Sequence, residues 1–395
     1  MADHPTSRLR QILTTRHLGA RPQGAQEGAE LETFLEAAAV RADDVLARVD
    51  EAMKKIPPDE MGDPREFRRA LEILYGKAEP AINKLRDPAA ALGHHDRFAL
   101  EAVIKTDGSR PSLLLRDGLP PLDHPLAGQW TKELVAQRDT IQAVATAVGR
   151  IEPERPSGRN FFGTGWLVDV DKGLVLTNVH VVEAFMRRPT TLATIANGSI
   201  RVFDGVYIDF IGETQSEAQN RYKVVGARTS GIEGDGFHRL DIAALTIEPM
   251  QDSRKIDQPV KVVADLDAAN GTGSNSMCVI GYPGEPERTS GIFDGVDWGW
   301  VNATLFGRRY GLKRIAPGTV HKRLGFSAED QQRWIFGHDA TTLGGSSGSP
   351  IVAWLDGGAS FGIHFAGASI ETNYAHGAAK CSDALRKLGV PVMDP

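Results

Sequence analysis

The chain has 395 residues, 41% of them hydrophobic, which is enough for two or three domains and at least one large core. A formal charge of -6, from 45 basic and 51 acidic residues, supplies no field for a nucleic-acid backbone, and two cysteines exclude both a cysteine-based zinc cluster and a disulfide framework. No apolar run approaches the roughly 18 residues of a membrane span, and "MADHPTSRLRQ" lacks the apolar stretch of a signal peptide, so no membrane contact and a cytoplasmic location are expected.

Residues 1–26 are polar and rich in helix breakers, and are expected to form a flexible arm. Residues 27–149 read as a mostly helical accessory or regulatory domain. Leu31, Phe34, Leu35, Ala38, Val45, Leu46 and Val49 recur at near-helical spacing until Pro57 and Pro58 end the run. "PREFRRALEILYG" predicts a second helix between Pro64 and Gly76, and "RFALEAVI" a third. "SLLLRDG" predicts a short strand or turn. "WTKELVAQRDTIQAVATAVG" predicts one long amphipathic helix with Leu134, Ile141, Val144 and Val148 on its stripe. The adjacent His94 and His95 lack further ligands at metal-binding spacing and read as surface or core residues.

Past "EPERPSGRN" the period changes. "GTGWLVDV", "GLVLTNVHVV", "TLATI", "RVFDGVYIDFIG", "RYKVVGAR", "DIAALTI", "PVKVVA", "SMCVIGY", "SPIVAWL" and "SFGIHFAG" are short β-branched and aromatic runs punctuated by Gly, Asp, Asn and Pro. Many short strands with no regular helices between them argue for a barrel or sandwich. Residues 306–340, "FGRRYG" to "FGHDA", read as a long loop, and the basic run Arg308, Arg309, Lys313 and Arg314 within it as solvated. "HGAAKCSDALRKLG" predicts a closing helix on the outside of the second half.

A hydroxyl near its ordinary pKa is a poor nucleophile, so covalent catalysis needs an imidazole to take its proton and a carboxylate to orient the imidazole. Three separated segments offer these groups. His180 follows "LVLTN", Asp241 starts "DIAAL", and Ser347 sits in the glycine-framed turn "TTLGGSSGSP". Taken singly, these are a buried histidine, a capping aspartate and a flexible turn; taken together they point to acyl transfer. The N–H groups of Gly345 and Ser347 would be the oxyanion donors, and a side chain at Gly345 is expected to crowd the substrate. Asp171, Asp235 and Asp265 are poorer acids, because none begins an apolar strand.

"GTGWLVDVDKGLVLTNVHVV", "RLDIAALTI" and "TTLGGSSGSPIV" resemble the histidine, aspartate and serine segments of the trypsin-like (chymotrypsin-fold) serine endopeptidases. "SGSP" and "GIHFAG" are similar to segments of the bacterial glutamyl endopeptidases within that family. The resemblance implies a mainly β architecture of two six-stranded antiparallel barrels over residues 150–395, followed by a C-terminal helix. It implies His180 as general base, Asp241 as orienting carboxylate and Ser347 as nucleophile, with a protein or peptide substrate and no metal or cofactor.

The resemblance further implies that Thr341, Thr342 and His364 wall the pocket for the side chain before the cut bond. His364 and Thr342 would favour an acidic side chain; the alternative is a core histidine that holds the pocket walls together. Phe365, Ala366 and Gly367 would pair with the substrate backbone. Ser346 stands where zymogen-type relatives carry the aspartate that receives a new N-terminus, which argues against that route of activation. The front domain is expected to receive a recruiting or activating partner. The alternative expectation is a protease fold that binds peptides without turnover.

Overall fold

The computed structural model describes residues 110–395 and Lys54, apart from residues 123, 157–159, 187–198, 230–235, 273, 287–291, 294–295 and 368–371. The arm, the helices expected over residues 27–109 apart from Lys54, the His94–His95 pair and "TLATI" all lie outside the described residues.

Two compact units divide the chain. Residues 112–122, 132–286 and 309–395 form one of them. Residues 112–122 and 132–149 therefore belong to the same unit as the strands that follow them. In the other unit, the described parts include a 3-10 helix at Pro125–Trp130, where His124 Nδ1 accepts the Leu126 N–H, and a paired Ile292–Phe293 and Val296–Asp297.

Alternation and β-branching build the strands of the larger unit. In the first half these are β1 (Val148–Pro153), β2 (Gly163–Asp169), β3 (Leu174–Thr177), β4 (Val206–Asp209), β5 (Arg221–Thr229) and β6 (Ala243–Pro249). They pair antiparallel in the closed order β1-β2-β3-β6-β5-β4 and back to β1. Trp166, Leu176, Ile208 and Leu245 are buried within this half. The second half contains β7 (Ser276–Gly281), β8 (Arg314–Lys322), β9 (Ile335–His338), β10 (Pro350–Ala353), β11 (Ala359–Gly367) and β12 (Asn373–Gly377). Its ring closes as β7-β8-β9-β12-β11-β10 and back to β7, the same circuit as the first. Met277, Val279, Phe336, Ile351 and Phe361 fill it. Closure pairs each of the twelve strands on both sides and leaves only strand ends unpaired among the described residues, which limits the usual liability of an antiparallel sheet.

Helices decorate the rings. The long helix expected over residues 130–149 is two, Thr131–Ala136 and α1 (Arg138–Thr146), separated at Gln137. Val148, expected on its apolar stripe, instead opens β1. A five-residue α2 (Val179–Glu183) follows β3, and α3 (Leu266–Asn270) is capped by Asp265, whose carboxylate accepts the Ala268 N–H at 2.8 Å. The closing helix α4 (Ala378–Lys387) buries Ala378, Cys381 and Leu385 and packs on β11 and β12.

The expected loop over residues 306–340 instead holds β8 and β9. Its basic run is interior in part: Lys313 and Arg314 are buried on oxygen partners, whereas Arg308 is exposed. Lys313 has 0% exposure; its ammonium donates to Ala145 O and Phe210 O, each at 2.7 Å, and lies 3.6 Å from Glu213. Arg314 is buried too and donates to Ser112 O at 2.5 Å, while Arg309 donates to Thr214 Oγ1 at 2.6 Å.

Candidate active site

His180 lies on α2, directly after β3, and Asp241 lies two residues before β6, the strand paired with β3. That pairing brings the two together: His180 Nδ1 stands 2.5 Å from Asp241 Oδ2, and the His180 amide donates to Oδ1 at 3.0 Å. Asp241 is 6% exposed, whereas the His180 ring is open to solvent. Burial alone would raise the Asp241 carboxyl, but the hydrogen bonds and charge of His180 outweigh it, so its pKa lies below the ordinary value. The ionised acid accepts the Nδ1 proton, which leaves the lone pair of the imidazole on Nε2.

Ser347 lies in the loop between β9 and β10 of the second ring. It is half-buried; Ser346 and Ser349 are buried, so of the three hydroxyl residues Ser347 is the reachable one. The four consecutive backbone carbonyls from Gly344 to Ser347 are all pinned. Gly344 O accepts from Gly284 N–H at 2.5 Å and Gly345 O from Thr164 Oγ1 at 2.9 Å. Ser346 O accepts from Ser349 N–H at 3.0 Å and Ser347 O from Thr164 N–H at 2.9 Å. In a trans peptide the carbonyl and the following N–H point opposite ways. Holding the carbonyls of Gly344 and Ser346 thus turns the N–H groups of Gly345 and Ser347 the other way.

Gly345 adopts φ +88°, a left-handed conformation open to glycine at little cost. A Cβ there would lie 2.7 Å from both Phe161 Cζ and Tyr282 O. The glycine is thus required by the protein's own walls, where the sequence suggested crowding of the substrate.

The two halves meet at β2. Thr164 Oγ1 also accepts the Tyr282 N–H at 3.1 Å, and Thr164 O accepts from Thr177 Oγ1 at 2.8 Å, three residues before His180. At Gly163, a Cβ would stand 2.8 Å from Val181, the neighbour of His180, and 3.2 Å from Ser347 O. The helix that carries His180 and the loop that carries Ser347 therefore converge on one glycine.

Thr341 is buried and Thr342 half-buried at the start of the serine loop. His364 is buried on β11; its Nδ1 lies 3.2 Å from His338 Nε2. Burial and the neighbouring His338 and His180 push its pKa well below the ordinary value, and burial takes His338 down to about 3. The pair is an uncharged polar wall. Phe365 stacks on His376, with ring centroids 4.2 Å apart. Beyond His364, Ala366 and Gly367 pair with β12 on one edge, and β10 pairs no further than Ile363. Their other edge carries no strand among the described residues.

Sequence reasoning missed four side chains here: Thr164, Asn178, His338 and His376. Asn178, fully buried within "LTNVH", was the most findable, because a polar residue inside an apolar run needs a partner. Its Nδ2 donates to Asp241 O at 2.7 Å.

One strand circuit traced twice, with the His180 and Ser347 segments at the junction, defines the class: a double antiparallel barrel of the trypsin-like type. Residues 163–363 match the trypsin-like peptidase domain model. The chain belongs to that family. It is 39% identical to a probable serine protease of Lysobacter enzymogenes over 97% of this chain and 98% of that protein. Among solved structures, the inactive form of the Rv3671c protease matches at 17% identity and TM-score 0.35, over 65% of this chain and 95% of that one. The active form of that Mycobacterium tuberculosis protease has a TM-score of 0.34. A serine endoprotease from Yersinia pestis matches at 16% identity and TM-score 0.38, over 64% of this chain and 66% of that one.

Proposed function

We propose that the chain is a serine endopeptidase acting through His180, Asp241 and Ser347. The observation that carries this reading is the 2.5 Å His180–Asp241 contact, which leaves Nε2 as a base beside the half that presents Ser347. Ser347 Oγ attacks the scissile carbonyl carbon as its proton passes to His180 Nε2. The developing oxyanion lies on the N–H groups of Gly345 and Ser347. The C–N bond breaks, the amine leaves with the proton from Nε2, and water reverses the sequence to free the acid. Asp241 keeps the ring in its working tautomer and offsets the charge of the imidazolium.

The substrate backbone lies along Phe365–Gly367, whose open edge supports strand addition. Its side chain enters beside Thr341 and Thr342. An acidic side chain there recruits a proton onto His364, since the His338–His364 pair is neutral before substrate arrives. The part of the expected front domain that precedes the barrel unit, residues 27–111, is proposed to receive a recruiting or activating partner.

The test is labelling by a fluorophosphonate, followed by intact mass and by cleavage of a proteome-derived peptide pool. Wild type is expected to gain one adduct on Ser347 and to cut peptides, while Ser347→Ala does neither. Equal cleavage by Ser347→Ala would reject the nucleophile; a folded wild type that binds peptides but neither labels nor cuts would favour the binding reading.

A further inference from the structure

Asp241 is gripped at its backbone as well as at its carboxylate. Its C=O is held by Asn178, on the segment that carries the base, but its N–H donates to His376 Nε2 at 3.2 Å. His376 belongs to β12, in the other ring. That ring also carries Ser347: His364 O on β11 accepts the Gly348 N–H at 2.9 Å, and Ile363 on the same strand pairs with His376. The His376 contact therefore ties the acid to the frame that positions the serine.

The surroundings of His376 are those of an apolar residue. It is 1% exposed, stacked on Phe365 at 15° between ring planes, and set edge-on to Trp334 with centroids 6.0 Å apart. Burial takes its pKa down to about 4 against the pull of Asp241, so at neutral pH it is an uncharged acceptor. Accepting at Nε2 places the ring proton on Nδ1, which has no hydrogen-bond partner among the described residues. A buried polar group without a partner costs about 1–3 kcal/mol. An aromatic hydrocarbon would satisfy the same stack without that cost. What the imidazole adds is one lone pair, and that lone pair is directed at the Asp241 amide.

We infer that His376 is a positioning residue for the His180–Asp241 pair: it fixes the Asp241 peptide from the opposite barrel and thereby sets the angle at which the carboxylate meets the imidazole. This rests on the peptidase reading above for its effect on turnover.

The test uses the full chain with three substitutions. His376→Gln keeps an acceptor near the position of Nε2, His376→Phe keeps the stack without the acceptor, and His376→Asn keeps polarity but stops short of Asp241. Thermal melts establish which variants fold. His376→Phe is expected to lower kcat by about 10²-fold, the cost of a displacement of order 1 Å, with KM within about twofold. His376→Gln is expected to stay within about fivefold of wild type. The low-field NMR resonance of the His180 Nδ1 proton should shift or broaden in the Phe variant and persist in the Gln variant. If His376→Phe does not fold, His376→Asn replaces it with the same expected loss.

Unchanged kcat and resonance in a folded Phe or Asn variant would overturn the inference, and so would equal losses in Gln and Phe. A wild type that hydrolyses nothing would sink the peptidase reading, while the resonance comparison would still decide the role of His376.

Discussion

Thr164 donates its amide to the carbonyl of Ser347 at 2.9 Å, although the two residues stand 183 positions apart and in different barrels. The same threonine holds Gly345 O and Tyr282 N–H through its hydroxyl. One side chain thus sets the orientation of the serine loop. Thr164→Val keeps the shape and the amide bond but removes the hydroxyl. It is expected to lower kcat by about tenfold or more, with Thr164→Ser close to wild type. Steady-state kinetics on one peptide substrate checks this, and a Val variant with full activity would contradict it.

Gly345→Ala is a sharper test of the same loop. The new methyl group would meet Tyr282 O and Phe161 at 2.7 Å and must be carried at positive φ, so the peptide that presents the Gly345 N–H has to move. The expected loss in kcat is about 10²–10³-fold, the cost of one oxyanion donor. Substrate binding, read by inhibition with a product peptide, should change far less.

Stability should fall on acidification well before the carboxylates titrate. His338, His364 and His376 are buried and neutral, whereas in the unfolded chain each takes up a proton near 6.5. The unfolded state therefore binds more protons below that pH. This contribution is complete above about pH 6.5 and is lost as pH falls toward the folded-state values, about 4 for His376 and about 3 for His338. Each group adds a slope of about 1.4 kcal/mol per pH unit. Urea midpoints measured from pH 7 to pH 4.5 should fall steadily; a flat profile would show that these rings are not held neutral.

Lys313→Met should be costly despite matching size. It strands Glu213 without its cation and Ala145 O and Phe210 O without their donor. A loss of about 3–5 kcal/mol is expected, because breaking one side of a buried charge pair leaves the other uncompensated. Chemical denaturation of the two proteins decides it.

Eight of the twelve barrel strands were legible as short apolar runs, and His180, Asp241 and Ser347 stood out through their framing. The other four strands were hidden for physical reasons. β1 contains Arg150 and Glu152, whose burial is compensated by their 2.7 Å pairing and by Arg221, 3.0 Å from Glu152. β8 and β9 carry Pro317, Gly318, His321, Gly337 and His338, residues that read as loop until ring closure gives them partners. β12 ran on into α4 without a break in composition, so His376 was read as the start of a helix. Thr164 and His338 gave no signal at all, since their partners lie far away in sequence. What alternation and framing cannot reveal is a polar group whose partner is supplied by another strand.

The split of the proposed site between two closed rings has a consequence for synthesis. A chain emerging from the ribosome completes the ring holding the imidazole and the acid about a hundred residues before Ser347 is translated. Ser347, the proposed nucleophile, is held in place only when β2 of the early ring can grip its loop. On the proposed reading, hydrolysis therefore needs both halves docked, and a product ending before Ser347 would lack the nucleophile.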